Sequence, residues 1–508
     1  MSNDHANLAN ILWHAADHQA DRAVVLEGDA DTTLAQLRAR ASAFALALQA
    51  RHVQPGARVA IFLERSADAV AAIFGAYAAG AITVVVNERY RARQIEHIVH
   101  HCDVTALITA QPMLDRQHRD LDINCALIDA QAVERDAHFT PVRRISPDGA
   151  QIIYTSGSTG LPKGVFFNNA ALHAGIHAVK NYLGIVPSDR VATLLPFSSV
   201  YGLNQVLTSV AAGASIVIER GLLPNKIVSG LAERGTTVLA AVPPLWIQLL
   251  NVPDFTSGAL RGLRIAQNAG GHLPPEFVKR VRAALPDTRL FLQYGMTETF
   301  RGTYLPPEAV DARPGSMGRP MPDTEVYVVD DHGQPVADGE IGELVHRGPT
   351  IALGYWKDPE ATSQTFRPNP FLPAGTPAGE KVVFSGDMVR RDADGYLYYV
   401  GRRDRVIKSM GFRIGPDEIA DVLYASGEAA EAIIVAVADA ERGHRIVAHV
   451  VLKSNGTLDR LKRFCRAELP EYAQPAEYVV QTEIPRLPSG KYDVDTLTKA
   501  STRPVAEG

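Results

Sequence analysis

Short runs of β-branched residues recur along this chain, and helix-like segments fill the intervals between them. The runs include Arg58–Leu63, Ile82–Val86, Ala106–Ile108, Arg190–Leu195, Ser215–Glu219, Val238–Val242 and Leu263–Gln267. Between them lie Asp68–Ala79, Asn169–Leu183 and Pro275–Ala284. Strands alternating with helices of this length predict βαβ units and mostly parallel sheets. At about 150 residues per domain, 508 residues suggest roughly three compact units. No 20–50-residue repeat and no low-complexity tract interrupts the pattern.

The stretch Ala69–Val86 has eighteen residues without a charge, which reaches the length of a membrane span. Its composition points elsewhere. Ala dominates the first part, Gly75 and Gly80 interrupt it, and it ends in the run Ile82-Thr83-Val84-Val85-Val86. A buried Ala-rich helix, a turn near Gly80 and a buried strand are expected, and no membrane span. The N-terminus mixes acids, bases and His with short apolar stretches, so no secretory signal is expected.

After about Val310 the pattern changes to short strands with turn signals. Glu325–Val329, Asp331-His332-Gly333, Glu343–Arg347, and Asp394-Gly395 before Tyr396–Val400 read as an antiparallel β subdomain. A last block begins near Asp404. It combines a helix Pro416–Tyr424, strands Ala432–Val437 and Ile446–Leu452, a helix Leu458–Leu469 and a strand Glu477–Gln481. The expected class is α/β. A large N-terminal domain, residues 1–403, has two βαβ-type subdomains plus an antiparallel β subdomain. A small mobile α+β C-terminal domain, residues 404–508, follows it.

Charge excludes one class of partner. Lys plus Arg is 51 and Asp plus Glu is 56, a net charge of −5. A nucleic-acid binder driven by bulk charge needs a basic excess, so none is expected. Cys102, Cys125 and Cys465 are too few and too scattered for a disulfide framework or a CxxC metal site, which suits a cytoplasmic protein.

The most informative segment is Tyr154–Val165, YTSGSTGLPKGV, after the apolar strand Gln151-Ile152-Ile153. Gly157, Gly160 and Gly164 let backbone N–H groups converge on an anion. Thr155, Ser156, Ser158 and Thr159 add hydroxyl donors, and Lys163 adds a charge. These suit a polyphosphate, but not a Walker loop, because Leu161 and Pro162 stand before Lys163.

A second segment, Gln293–Glu298 (QYGMTE), follows the strand Arg289–Leu292. Tyr294 offers a flat ring for a base and Gly295 allows close backbone approach. Thr297 offers a hydroxyl, and Glu298 is a hard oxygen ligand for Mg²⁺. Ser385-Gly386-Asp387 precedes an expected hairpin, and a carboxylate there could accept both ribose hydroxyls. Near the end, Pro485-Arg486-Leu487-Pro488-Ser489-Gly490-Lys491 presents one lysine on a stiffened loop.

Taken in order, these motifs resemble the AMP-forming adenylating superfamily: acyl-CoA synthetases, adenylation domains and luciferases. The resemblance runs over essentially the whole chain. It implies that Thr155, Ser156, Gly157, Ser158, Thr159, Gly160 and Lys163 cradle the phosphates of ATP. It places Gly270, Gly271 and His272, with Gln293, Gly295 and Met296, along adenine and acyl group. Tyr294 would stack on adenine, Thr297 meet the α-phosphate, and Glu298 hold Mg²⁺. Asp387 and Arg402 would contact ribose or phosphate, and Asp404 would be the hinge. Lys408, Gly411 and Phe412 would swing toward the thiol, and Lys491 would be catalytic.

The implied reaction activates a carboxylic acid as acyl-AMP, then transfers it to a thiol. The thiol is CoA or, as an alternative, the phosphopantetheine of an acyl carrier protein. A non-catalytic adenylate binder is the third reading, against which Glu298, Asp387 and Lys491 stand. By resemblance Leu195–Leu203 is a pocket segment, with Ser199, Val200, Tyr201, Gly202 and Asn204 as lining candidates. Val200 stands where amino-acid-activating relatives place an Asp, so an acid with an uncharged tail is expected. A monomer or homodimer fits.

Overall fold

The computed structural model describes residues 6–117, 121–155, 162–221, 223–373, 375–376, 379–403, 405–409, 412–439, 443–487 and 491–502. Two sheets with parallel centres form the bulk of a larger N-terminal domain. The first has nine strands, in the order Arg319–Pro320, Thr303–Leu305, Arg289–Tyr294, Ile265–Asn268, Val238–Ala241, Arg190–Ala192, Ser215–Ile218, Ala23–Glu27 and Ala30–Thr33. It is parallel from Arg289–Tyr294 to Ala23–Glu27 and antiparallel at both ends. The second has seven strands, in the order Gly354–Tyr355, Lys163–Asn168, Gly149–Thr155, Ile82–Val85, Arg58–Phe62, Val104–Thr109 and Ala126–Asp129.

The parallel strands are buried on both faces, which is why they read as continuous apolar runs. Every residue of Ile82–Val85 and of Val238–Ala241 is buried. The uncharged stretch resolves into the helix Ala67–Ala78, a turn at Gly80 with φ +75°, and the strand Ile82–Val85. Ser66 starts that helix by accepting a hydrogen bond from the Ala69 N–H. Among the described residues no helix is long and apolar enough to cross a membrane.

The third sheet is antiparallel, as the turn signals predict. Glu325–Val329, Ile341–Arg347, Lys381–Arg391 and Phe366–Pro368 lie in that order, and Leu397–Arg402 pairs with Lys381–Arg391. Ser385-Gly386-Asp387 lies inside the strand Lys381–Arg391, where the sequence placed it before a hairpin. The ladder is irregular between Met388 and Val389, so one strand carries both the turn-like Gly386, at φ +70°, and Asp387.

The smaller C-terminal domain builds its sheet from Phe412–Ile414, Ile407–Ser409, Gly443–Leu452 and Ala429–Asp439, with Glu477–Val480 added in parallel. Helices Pro416–Ala425, Leu458–Glu468 and Val494–Ser501 complete it. Arg460 on the middle helix grips the Glu428 carboxylate through two nitrogens, each at 2.9 Å. Lys462 lies 5.5 Å from the Tyr478 ring centroid. The two domains share one apolar core. Phe277, on helix Pro275–Ala284, meets Tyr424, on Pro416–Ala425, edge to face at 5.0 Å.

Candidate active site

Parallel sheets bind ligands beyond the carboxyl ends of their strands. A cleft of about 550 Å³ opens there. It is floored by the ends of Ile265–Asn268 and Arg289–Tyr294 and roofed by the small domain. It gathers Thr155, Gly270, Gly271, His272, Gln293, Tyr294, Gly295, Met296, Thr297, Glu298, Asp387, Arg402 and Lys491. Four separated motifs of the sequence therefore meet in one place.

Thr155 and Lys163, on either side of the glycine-rich segment, are partners in an antiparallel ladder, so a strand and not a helix follows the segment. Ser156, Gly157, Ser158, Thr159 and Gly160 lie outside the described residues. Lys163 stands beside the Asp358 carboxylate at 3.5 Å and over the Tyr355 ring at 5.8 Å. The Tyr355 hydroxyl donates to Glu298 Oε1 at 2.6 Å. Tyr355 belongs to the short strand Gly354–Tyr355, which pairs with Lys163–Asn168. Sequence reasoning missed Tyr355. The nearest signal was the Gly-Tyr-Trp cluster at 354–356.

Asp387 is 5% exposed. Its carboxylate accepts from the Tyr294 hydroxyl and, at 3.2 Å, from Arg402 Nη1. Arg402 also donates to the Ser385 carbonyl at 3.0 Å. Burial raises the Asp387 pKa above the usual carboxylate range, with Arg402 and the hydrogen bonds pulling against it. The Tyr294 ring stacks on His346, with centroids 5.7 Å apart and planes 9° from parallel.

Lys491 reaches into the cleft from the small domain and remains accessible to solvent through it. Desolvation pulls its pKa below the ordinary lysine value, opposed by the nearby carboxylates of Asp387 and Glu298. Gly270, at φ +81°, takes a left-handed backbone turn beside it. A Cβ there would sit 3.5 Å from Lys491 Cε and 3.3 Å from Val242 Cγ1.

Residues 12–356 match the family AMP-binding enzyme, and residues 418–491 match the AMP-binding enzyme C-terminal domain. This chain belongs to the AMP-binding enzyme family. The structure is similar to an anthranilate CoA ligase bound to anthranoyl-AMP, with TM-score 0.89, 25% identity and 99% of each chain covered. It is also similar to a benzoate CoA ligase from Burkholderia xenovorans LB400, with TM-score 0.85, 26% identity, and coverage of 97% of this chain and 99% of that one. Among curated relatives it is 30% identical over 508 residues to bacitracin synthase 3 of Bacillus licheniformis. That match covers 99% of this chain but 8% of the relative, so the chain spans a small part of that protein's length.

In this AMP-binding enzyme the expected acyl-pocket segment forms the start of helix Val200–Ala212 and its N-cap. Ser199, Val200, Tyr201, Gly202 and Asn204 lie outside the lining of the open cleft. Ser199 is the N-cap of helix Val200–Ala212, accepting from the Gly202 N–H at 3.0 Å. Gly202 is no open space for a chain, because a Cβ there would lie 2.0 Å from the Pro196 carbonyl oxygen. Tyr201 and Asn204 are buried behind the cleft wall. Asp404 and Gly411 lie outside the described residues, as do the side chains of Lys408 and Phe412. The backbones of those two form the small strands Ile407–Ser409 and Phe412–Ile414.

His272 was expected beside adenine. It lines the cleft, and its Nε2 lies 3.1 Å from each oxygen of Asp421, on the small domain's helix Pro416–Ala425. Burial disfavours the charged ring, but Asp421, with Asp417 behind it, outweighs burial and pushes the pKa up to about 9. A folded pKa above the free value stabilises the closed pair at neutral pH, and this is lost as pH rises through about 9. The His272→Ala variant is expected to hold the domains together less firmly at pH 7. A fluorescence distance between domains should change above pH 9 in the parent and stay flat in the variant.

Proposed function

We propose that this chain activates a carboxylic acid with ATP to give acyl-AMP and pyrophosphate, then transfers the acyl group to CoA. The observation that carries this is the convergence of Lys491, Glu298 and Asp387, from two domains, on one cleft. In the first step a carboxylate oxygen attacks the α-phosphorus and the bond to pyrophosphate breaks. Lys491 offsets the charge of the two approaching anions, and Thr297 donates to a phosphate oxygen. Asp387 accepts the ribose hydroxyls, Tyr294 covers the adenine, and Thr155–Lys163 holds the leaving phosphates.

Among the described residues no group of three or more His, Cys, Asp or Glu is placed to cage a metal. Glu298 fits as a single protein ligand for Mg²⁺ held otherwise by phosphates and water, the usual arrangement for that ion. When bound, Mg²⁺ would neutralise phosphate charge. In the second step a thiolate attacks the acyl carbonyl and AMP leaves. The small domain, residues 404–508, turns about Asp404 and brings Lys408, Gly411 and Phe412 to the thiol.

The similar CoA ligases, matched nearly end to end, support CoA as acceptor. The likeness to a bacitracin synthase supports a carrier-protein phosphopantetheine as the second reading. Three free thiols, Cys102, Cys125 and Cys465, suit the cytoplasm. The test is acid-dependent ATP–pyrophosphate exchange over an acid panel, then AMP release with CoA or with a pantetheinylated carrier. Exchange plus AMP release with CoA is expected. Release with the carrier alone selects the second reading, and no exchange with any acid overturns both.

A further inference from the structure

Arg301 is 3% exposed, and no carboxylate pairs with it among the described residues. A buried guanidinium without an acid is costly unless other groups compensate it. Here the compensation is partial. Arg301 lies over the Tyr201 ring, 4.7 Å from its centroid, and near the Tyr182 hydroxyl. Its Nε has no partner among the described residues.

Polar groups on the helix and strands that carry its neighbours share that condition. Tyr201, Asn204 and Thr208 fall at i, i+3 and i+7 of helix Val200–Ala212, one buried face. The Tyr201 hydroxyl donates to the Gln267 carbonyl at 3.2 Å. Gln293 Nε2 donates to Tyr182 at 3.0 Å and to Gln267 Oε1 at 3.4 Å. Asn204 Nδ2 and Oδ1, Thr208 Oγ1, Gln267 Nε2 and Gln293 Oε1 have no partner among the described residues. Buried polar groups are nearly always hydrogen-bonded, so such a concentration calls for a ligand or water. Donors predominate: two amide nitrogens, a hydroxyl and a guanidinium nitrogen.

The cluster lies directly behind the reacting end of the cleft. A Cβ on Gly295, in the cleft wall, would stand 3.0 Å from Arg301 Cα. Tyr201 packs with Val242 and Ala269, beside Gly270 and Lys491. The backbone also takes an unusual path to put Arg301 there. Phe300 has φ 61° and ψ −54°, and the Arg301 N–H donates to the Thr299 carbonyl at 2.6 Å. That is a rare, strained three-residue turn, and such strain gathers at functional sites.

We propose that Arg301, with Asn204, Thr208, Gln267 and Gln293, recognises a second carboxylate at the far end of the acid substrate. This rests on the reading of the cleft as a carboxylate-adenylating site, and it replaces the uncharged tail expected from Val200. Arg301 supplies the charge, and the unpartnered amides and hydroxyl complete the shell of the distal carboxylate. A monoacid of equal length would leave these groups buried and unpaired, which is how polar sites reject apolar analogues.

The test compares butanedioate, pentanedioate and hexanedioate with butanoate, pentanoate and hexanoate in ATP–pyrophosphate exchange. The parent is expected to favour at least one diacid over its monoacid by about 100-fold or more in kcat/KM. Arg301→Leu should bring that ratio to about one, with monoacid exchange retained or raised. Arg301→Lys should recover part of it. Asn204→Ala, a smaller change, should lower the ratio even if Arg301→Leu does not fold. Equal use of both classes by the parent, or equal losses for both in the variants, overturns the proposal. If no acid supports exchange, the adenylation reading falls, and calorimetric binding then decides. Diacid bound by the parent but not by Asn204→Ala or folded Arg301→Leu supports a diacid site, and no diacid binding to the parent overturns it.

Discussion

Lys491→Ala is expected to lower acid-dependent ATP–pyrophosphate exchange by about 10²–10³-fold, the usual effect of removing one charge-stabilising donor. The ammonium stands in a cleft already holding the carboxylates of Asp387 and Glu298, and the reaction adds a substrate carboxylate and three phosphates. Without Lys491, the small domain loses the cation that both carboxylates face. The second half-reaction makes no such demand, because pyrophosphate has left and the attacking group is a thiolate. Transfer from supplied acyl-adenylate should therefore fall by less than about 10-fold. Rapid-quench measurement of each half-reaction separates the two. Equal losses would remove Lys491 from the adenylation step.

The second large effect is expected at Asp387. Asp387→Asn keeps the shape but removes the charge and two of the acceptor positions a ribose diol needs. At about 1.5–3 kcal/mol for each hydrogen bond to a charged group, two such bonds correspond to roughly 10²–10⁴-fold in ATP affinity. The loss should fall mainly on KM for ATP. Burial raises the carboxyl pKa, so the ionised form competent for ribose is lost, as pH falls, earlier than an ordinary Asp would lose it. ATP affinity of the parent should show that acid limb, and the variant should not. A raised folded pKa also means that the buried charge weighs against folding at neutral pH. Asp387→Asn should accordingly melt no lower than the parent, which separates lost recognition from lost structure.

The parallel sheets were legible because strands covered on both faces must be apolar throughout, as Ile82–Val85 and Val238–Ala241 are. Pro275–Ala284 was legible to the residue, since prolines mark its start. The strands Ala23–Glu27 and Ala30–Thr33 were not, because the second is polar and exposed and draws its place from pairing at a sheet edge. The cleft residues were legible where one short segment carries several chemical groups, as in Gln293–Glu298. Groups acting through a long-range partner left no local signature. Tyr355 meets Glu298 across 57 positions and His272 meets Asp421 across 149. Arg301 stands three residues beyond Glu298, yet its importance lies in burial, which a sequence does not display.

The continuous apolar core between the domains gives the enzyme a thermal asymmetry. Helix Pro416–Ala425 packs Tyr424 against Phe277, so the proposed rotation of the small domain must expose this surface or find it another cover. Apolar association weakens on cooling. Chilling the enzyme therefore loosens the lid from its first resting place while slowing the chemistry itself. The two half-reactions should slow unequally, acyl-adenylate formation more steeply than thioester release, so a cold-adapted relative would be expected to reinforce this seam with polar contacts first.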